Sequence, residues 1–233
     1  MSETIINSNQ VRASGDTSTQ TLINENQVRA SGDTSSETLI NPNQIAGGGE
    51  KTLNLTSVNG ATYDSDYIFT VPYDGVNRAW YFETNTSIDI TDTNNSFELV
   101  IKFKTASNLS STTLGVYRRN DDRNFGSYIG AGRGINVVLG SNRASTSDYF
   151  VTYGNWYYIK VTREKNSSSF YAYTSTDGEE TWNIINNYSI EAISSSKISF
   201  GRGHSLSSNY WFYGSIDFKE TDIIINGTSV LWV

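Results

Sequence analysis

Apolar and polar residues alternate along most of the chain from Lys51 onward. Between 97 and 104, apolar residues fill the odd positions, whereas Glu, Val and Lys fill the even ones. The segment 155–165 repeats this alternation. Because successive side chains of a β-strand point to opposite faces, the pattern predicts strands with one face in a core and the other towards solvent or a second layer. The residues predicted for that core are Trp156, Ile159, Val161, Phe170 and Trp182.

Turn residues divide this alternating region into many short segments. The predicted strands are 51–58, 66–70, 78–83, 87–90, 96–105, 113–118, 125–130, 134–139, 150–151, 155–165, 169–175, 181–186, 197–202, 211–218, 222–225 and 228–233. Asn226-Gly227 and Asp177-Gly178 are typical of type I′ hairpins, whose two central residues need positive φ. The sequence therefore predicts an all-β, antiparallel two-sheet jelly-roll sandwich.

A 17-residue repeat occupies the beginning of the chain. Thr4, Thr21 and Thr38 open its copies, and the third copy breaks down after Gln44. Such short repeats cannot bury a core alone. We therefore predict a repeat arm for attachment or trimerisation over 1–46, a Gly-rich joint over 47–50 and a jelly-roll domain over 51–233. The apolar residues expected to face a three-fold axis or a particle are Ile5, Ile6, Val11, Leu22, Ile23, Val28, Leu39 and Ile40. The alternative is an arm that is disordered alone and becomes ordered only on a capsid or tail.

Composition narrows the possible functions. The net charge is −7, whereas a nucleic-acid binder needs a basic stripe. The chain has no Cys and a single His, His204, which excludes disulfides, a cysteine nucleophile and a conventional zinc site. No apolar run reaches membrane length. We therefore expect no nucleic-acid partner, no membrane insertion, no cofactor and no metal.

Three groups of segments carry a family resemblance. They are 80–82, 88–90 and 97–103; 155–163, 170–178 and 181–182; and 200–203, 212–218 and 224–227. In order and spacing they resemble the entry strands, central hairpin and closing strands of the concanavalin A-like lectin/laminin-G superfamily, in the form common in bacteriophage structural proteins. The resemblance implies a jelly roll of about 12 to 15 strands in two curved sheets. It also implies glycan or protein binding as a common role, with enzymatic members known. The N-terminal repeats are similar in architecture to the shafts of phage fibres and appendages.

Three motifs could carry chemistry, and each has a structural interpretation. Ser175–Trp182 nearly matches the Asp-box of sialidases, which we interpret as a hairpin with Trp182 in the core. Asp217 and Glu220 come nearest to a glycosidase carboxylate pair, but they are not expected to share one strand face, and we interpret them as capping a solvent edge. The acidic loop 120–124 could bind calcium, yet its neighbouring arginines favour a salt-bridged loop. We therefore predict no catalytic residues.

Sugar binding needs aromatic faces for the pyranose ring and polar side chains for its hydroxyls. The predicted loops offer both kinds of residue, although strands favour Tyr and Trp for structural reasons too. The candidate glycan-binding residues are Tyr117, Arg118, Asp121, Asn142, Arg143, Tyr149, Tyr210 and Trp211.

Together these observations predict a non-enzymatic virion protein of a bacteriophage, a fibre or decoration on the head or tail. A homotrimer would contact other virion proteins, of the capsid or tail, through the N-terminal repeats. Its lectin-like domain would be displayed for adhesion to a host-surface glycan. The alternatives are a glycan-degrading appendage enzyme and a purely structural capsid decoration without a ligand.

Overall fold

The protein is described here by a computed structural model covering residues 51–74, 79–107, 109, 114–119, 125–139, 142–147, 150–178, 181–189, 195–202 and 212–233. Residues 52–233 form one compact unit. The predicted repeat arm and Gly-rich joint, with the eight apolar residues assigned to attachment, lie outside the described residues. The domain boundary therefore stays a prediction.

Fourteen β-strands form the described part of the chain, which contains no helix. They are β1 (Leu55–Val58), β2 (Ile68–Val71), β3 (Tyr81–Thr84), β4 (Phe97–Thr105), β5 (Leu114–Arg119), β6 (Phe125–Ile129), β7 (Ile135–Leu139), β8 (Asn142–Ser145), β9 (Trp156–Arg163), β10 (Ser169–Ser175), β11 (Asn183–Ser189), β12 (Ile198–Phe200), β13 (Gly214–Ile225) and β14 (Thr228–Ser229).

These strands form two sheets in which every pairing is antiparallel. The first sheet has the order β1-β3-β12-β5-β6-β7-β8. The second has the order β11-β10-β9-β4-β13-β14, and β2 also pairs with β13. Strands that are distant in sequence, such as β4 and β13, are neighbours in a sheet. The predicted all-β, antiparallel jelly-roll sandwich is confirmed.

The inward faces of both sheets share one apolar core. Phe218 of β13 lies within an aromatic cluster, with its ring centroid 5.4 Å from that of Phe82 and 5.7 Å from that of Phe200. The core positions predicted for Ile159, Val161 and Phe170 are confirmed, because all three side chains are buried.

The core positions predicted for Trp156 and Trp182 are wrong. Both side chains are only partly buried. Trp156 is in register with Lys104, on the face of the second sheet that points away from the core. Trp182 lies beyond the end of β10, and its ring covers Lys160 of that same outward face. The alternation of β9 puts Trp156 on the opposite face from Ile159, which is buried in the core.

Several strand predictions also differ from the structure. Segment 87–90 contributes a single bridge, between Ile88 and Ser196, rather than a strand, and 150–151 is not a strand. Strand β8 was not predicted. The two strands predicted at 211–218 and 222–225 are one strand, β13, because a bulge between Asp217 and Asp222 lets its pairing with β4 continue.

The two predicted hairpin turns have different outcomes. Asn226 and Gly227 have φ values of 50° and 77°, which confirms a turn with two positive-φ residues between β13 and β14. At Asp177-Gly178 only the glycine has positive φ, so the type I′ prediction is wrong there. The Asp177 carboxylate instead accepts hydrogen bonds from the Ser175 hydroxyl (2.7 Å) and the Thr181 amide (3.0 Å).

Candidate functional site

The outward face of the second sheet carries lysines and aromatic residues in cross-strand rows. Lys104 of β4 lies opposite Trp156 of β9, and Lys102 lies opposite Tyr158. One row further along, Lys160 of β9 lies opposite Tyr173 of β10. These residues share a face because the apolar residues that alternate with them point into the core. We call this surface the lysine–aromatic face.

Aromatic rings contact all three lysines of this face, and Lys102 Nζ lies 5.2 Å from the centroid of the Trp156 ring. The Lys104 Nζ atom lies 4.7 Å from the centroid of the Trp156 ring. The Lys160 Nζ atom lies 3.9 Å from the Trp182 ring and 5.4 Å from the Tyr173 ring. Ammonium groups at these distances from an indole make cation–π contacts. The contacts limit the motion of long side chains that would otherwise sample many rotamers in solvent.

Asp217 and Glu220 converge on the third lysine. Lys102 Nζ lies 3.1 Å from Asp217 Oδ2 and 2.6 Å from Glu220 Oε1, and Glu220 Oε2 accepts a 2.5 Å hydrogen bond from the Tyr158 hydroxyl. Asp217 and Glu220 were expected to lie on different faces and to cap a solvent edge. That expectation is wrong, because both contact Lys102 on one face of the sheet. The bulge of β13 turns Glu220 back over the sheet, beside Asp217.

The charge state of this cluster argues against acid catalysis. Hydrogen bonds from Lys102 and Tyr158 hold the pKa of Glu220 below its usual range. Burial and the hydrogen bond to Glu220 raise the pKa of Tyr158 to about 12. Burial lowers the pKa of Lys102, but its hydrogen bonds to Glu220 and Asp217 outweigh that effect and raise it overall. A glycosidase needs one carboxyl that stays protonated near neutral pH, whereas the contacts of Glu220 favour its ionised form.

A cleft of about 670 Å³ opens at the end of the lysine–aromatic face where β2, β4 and β13 meet. Polar side chains on its wall include Thr70, Lys104, Ser107 and Ser215, and Tyr73 adds an aromatic ring. The hydroxyls of Thr70 and Ser215 are hydrogen-bonded to each other at 2.9 Å. The volume is in the range of small-molecule sites. Trp156, stacked on Lys104, lies beside the cleft.

Gly214 brings the strands at this cleft close together. Its φ is 152°, and a Cβ atom on this residue would lie 2.0 Å from the Lys104 carbonyl oxygen. Only glycine can therefore begin β13 in this conformation. The residue keeps β13 close to β4 and thereby fixes the position of the Lys104 backbone in the cleft wall.

None of the predicted glycan-binding residues that the structure describes lies in this cleft. Tyr117 is buried in the core, where burial also raises the pKa of its hydroxyl. Arg118 is in register with Gly126 of β6, in the first sheet, and is 4% exposed. Asn142 and Arg143 belong to β8, at the edge of the same sheet. The other candidates, Asp121, Tyr149, Tyr210 and Trp211, lie outside the described residues. A ligand-binding role for this set stays a prediction.

Arg143 takes part in a second polar cluster, on the first sheet. Its Nε and Nη2 atoms donate to Asn136 Oδ1 at 2.9 and 2.5 Å, and its guanidinium lies 5.3 Å from the Tyr128 ring. Ser145 also donates to Asn136 Oδ1. The bonds to Arg143 and Ser145 concentrate three donors on one oxygen, which indicates a structural role for Asn136.

Sequence reasoning missed the lysine–aromatic face and the cleft. The signal was present, because Lys102, Lys104 and Lys160 occupy the polar half of the same alternation that predicts β4 and β9. What the sequence does not give is the pairing of these strands, which brings Trp156 to Lys104. It also does not show that β2 and β13 complete the cleft.

Neither a metal site nor a membrane span emerges from the described residues. Within those ranges, no three His, Cys, Asp or Glu side chains are grouped so that they could hold a metal ion. The same ranges include no helix that is long and apolar enough to cross a bilayer. The acidic loop considered for calcium, 120–124, lies outside them.

Comparisons with known proteins give similar structures but no similar sequences. No protein-family model matches the chain, and no curated protein sequence matches it. The binding domain of botulinum neurotoxin serotype D aligns with a TM-score of 0.48 and 13% identity, over 84% of this chain and 47% of that chain. Lectin II from Ulex europaeus aligns with a TM-score of 0.46 and 11% identity, over 70% of this chain and 89% of that chain. Arcelin-5, a lectin-like defense protein from Phaseolus vulgaris, aligns with a TM-score of 0.47 and 12% identity, over 70% of this chain and 89% of that chain. This chain thus spans about half of the neurotoxin chain. The fold assignment rests on the strand order described above.

Proposed function

We propose that the β-sandwich domain is a non-enzymatic lectin-like module that binds a saccharide in the cleft beside Trp156. The observation that carries the proposal is the cleft itself, whose wall includes Thr70, Ser215 and Lys104. A saccharide needs hydrogen-bonding partners for its hydroxyls and an apolar surface for its ring. The side chains of Thr70 and Ser215 supply the first, and Tyr73 or Trp156 supplies the second.

The cleft is open, so we expect weak binding by a single domain. An open site leaves much of a bound sugar in solvent, and the buried contacts must still offset the lost freedom of the ligand. Several domains held together would bind a surface that presents many copies of the glycan far more tightly than one domain does. Multivalent display is therefore part of the proposed function.

The N-terminal repeats would provide that display. We propose that residues 1–46 form a homotrimer and attach the protein to a capsid or tail protein of a bacteriophage particle. The fixed spacing of Thr4, Thr21 and Thr38, and repeats too short to bury a core, support this part of the proposal. The displayed domain would then contact a glycan on the host surface. Mass spectrometry of purified particles tests whether the chain is a virion component.

Glycan-array binding by the full chain tests the saccharide site. We expect the unaltered protein to bind, Trp156→Ala to lose binding, and Arg143→Ala to retain it. Arg143 is the matched comparison, because it is an exposed side chain of the first sheet that contacts an aromatic ring, Tyr128, of that same sheet, whereas the cleft is formed by the second sheet. Circular dichroism and melting temperature verify that both variants are folded.

The other outcomes identify the alternatives. Loss of binding in Arg143→Ala alone would move the site to the first sheet and contradict the cleft. A protein that binds no glycan and does not adsorb to host cells would be a structural decoration. Release of new reducing ends from host polysaccharide by the purified protein would identify an enzyme, and Asp217 and Glu220 would be the first residues to replace.

A further inference from the structure

We infer that the ligand of the lysine–aromatic face is an anionic oligosaccharide whose carboxylate or sulfate groups pair with Lys104 and Lys160. This inference rests on the proposed saccharide-binding function and adds the chemical class and the minimum length of the ligand. It comes from three features that these two lysines share: they are partly buried, they contact aromatic rings, and they have no carboxylate partner among the described residues.

Within the described part of the chain Lys104 and Lys160 have no acidic partner, although the protein is acidic. Lys102, Lys197 and Lys219 each form a salt bridge with Asp or Glu, at N–O distances between 2.6 and 3.1 Å. Among the described residues, no carboxylate pairs with Lys104 or Lys160, and their contacts are with aromatic rings. Lys51 and Lys165 also lack a carboxylate partner among the described residues, but both are exposed, whereas Lys104 and Lys160 are partly buried. The chain holds 24 acidic and 17 basic residues, so a shortage of carboxylates does not explain why the two partly buried lysines have none.

The aromatic partners prepare both ammonium groups for an anion. A lysine in solvent loses side-chain entropy when it binds, whereas a lysine stacked on Trp156 or Trp182 has already lost part of it. Both lysines are partly buried, so a bound anion would be less screened by water than at an exposed site. A charge-assisted hydrogen bond to a carboxylate or sulfate is stronger than a neutral one.

The spacing of the two lysines sets a minimum length for the ligand. Lys104 is in register with Trp156, and Lys160 follows four residues later on β9, which corresponds to about 13 Å along the strand. A monosaccharide cannot reach both positions. Between them lie Tyr158 and Lys102, and Lys102 is already neutralised by Asp217 and Glu220. The acidic groups of the ligand should therefore lie near the two ends of this path.

A glycan array that holds neutral, carboxylated and sulfated oligosaccharides tests the inference, with the full chain as the probe. We expect the bound glycans to be acidic and at least two residues long. Lys104→Gln and Lys160→Gln should each weaken binding to the best of them by about fivefold to tenfold, as for loss of one charge-assisted contact. Lys165→Gln is the matched control, because it removes the same charge from an exposed residue beyond β9.

Three results would overturn the inference, and they separate it from the proposed function. If the bound glycans are neutral and Trp156→Ala abolishes their binding, the saccharide site stands but its preference for acidic ligands is refuted. If Lys104→Gln and Lys160→Gln bind acidic glycans as well as Lys165→Gln does, the two lysines are not the anion contacts. If no glycan binds at all, both the inference and the proposed function fail.

Discussion

Replacing Lys102 with Met should destabilise the protein in a pH-dependent way. The substitution keeps most of the apolar stem but removes the ammonium that lies 3.1 Å from Asp217 and 2.6 Å from Glu220. The side chains of Lys102 and Asp217 are only 16% and 11% exposed, whereas that of Glu220 is 47% exposed. Removing one partner of a fully buried ion pair costs about 3–5 kcal/mol, and an exposed pair contributes about 1 kcal/mol or less. For this intermediate case we expect a loss of about 2–3 kcal/mol at pH 7.

The loss should shrink in acid. Lys102 lowers the pKa of Glu220 in the folded protein, so its stabilisation is present above the unfolded pKa of Glu, about 4.3. It disappears as the pH falls through the lower folded pKa, because the carboxylate is then protonated in both states. In Lys102→Met the neighbouring carboxylates repel each other at neutral pH, and acid relieves that repulsion. Both effects reduce the stability difference between the two proteins as the pH falls from 7 to about 3.

Urea unfolding followed by tryptophan fluorescence, repeated at several pH values, measures this difference. Lys165→Met is the control, because it makes the same change at an exposed lysine and should alter stability little at any pH. The reasoning is refuted if Lys102→Met is as stable as Lys165→Met at pH 7. It is also refuted if the loss for Lys102→Met is the same at pH 3 as at pH 7.

Three further predictions concern the core, the cleft and the assembly. Phe218→Ala should lower the free energy of unfolding by about 3–5 kcal/mol, because it removes a ring from a buried aromatic cluster. Trp182→Ala should lower it by about 1–2 kcal/mol. Equal losses in urea unfolding would contradict the outward position of Trp182. Gly214→Ala should cost on the order of 3 kcal/mol or more, because its Cβ would meet the Lys104 carbonyl oxygen. Gly227 also has a positive φ, but the space around it is open, so Gly227→Ala should lower the free energy of unfolding by only about 1 kcal/mol. Similar melting temperatures for the two glycine variants would contradict the close approach argued for Gly214. Multi-angle light scattering should give the mass of a trimer of 25.9 kDa chains, and a monodisperse monomer would contradict the proposed role of the repeats.

The strand alternation was enough to predict the fold class, because the inward positions of β4 and β9 are apolar and period 2 fixes which residues share a face. Trp156 shows the limit of that reasoning. A core position was predicted for its side chain, although the alternation that buries Ile159 requires Trp156 to face outward.

The candidate site could not be predicted in the same way, because it depends on pairing between distant strands. Lys102 contacts Asp217 and Glu220, which are more than a hundred residues away in sequence. Glu220 reaches this face only because β13 contains a bulge, and nothing in the segment Asp217–Asp222 indicates on which side its extra residues will project. Loop residues such as Arg143 were favoured because binding residues often lie on loops, yet Arg143 belongs to a strand.

The central claim is that a saccharide binds in the cleft beside Trp156 and extends along the lysine–aromatic face, and fluorine NMR tests it most directly. The full chain would be labelled with 5-fluorotryptophan, its five signals assigned by Trp→Phe variants, and the best-bound oligosaccharide of the array added. We predict that the signals of Trp156 and Trp182 shift in a saturable way. The signal of Trp232, whose indole donates to the Phe218 carbonyl at 3.2 Å, should stay in place. Saturable shifts at Trp211 or Trp232 with none at Trp156 would contradict the account.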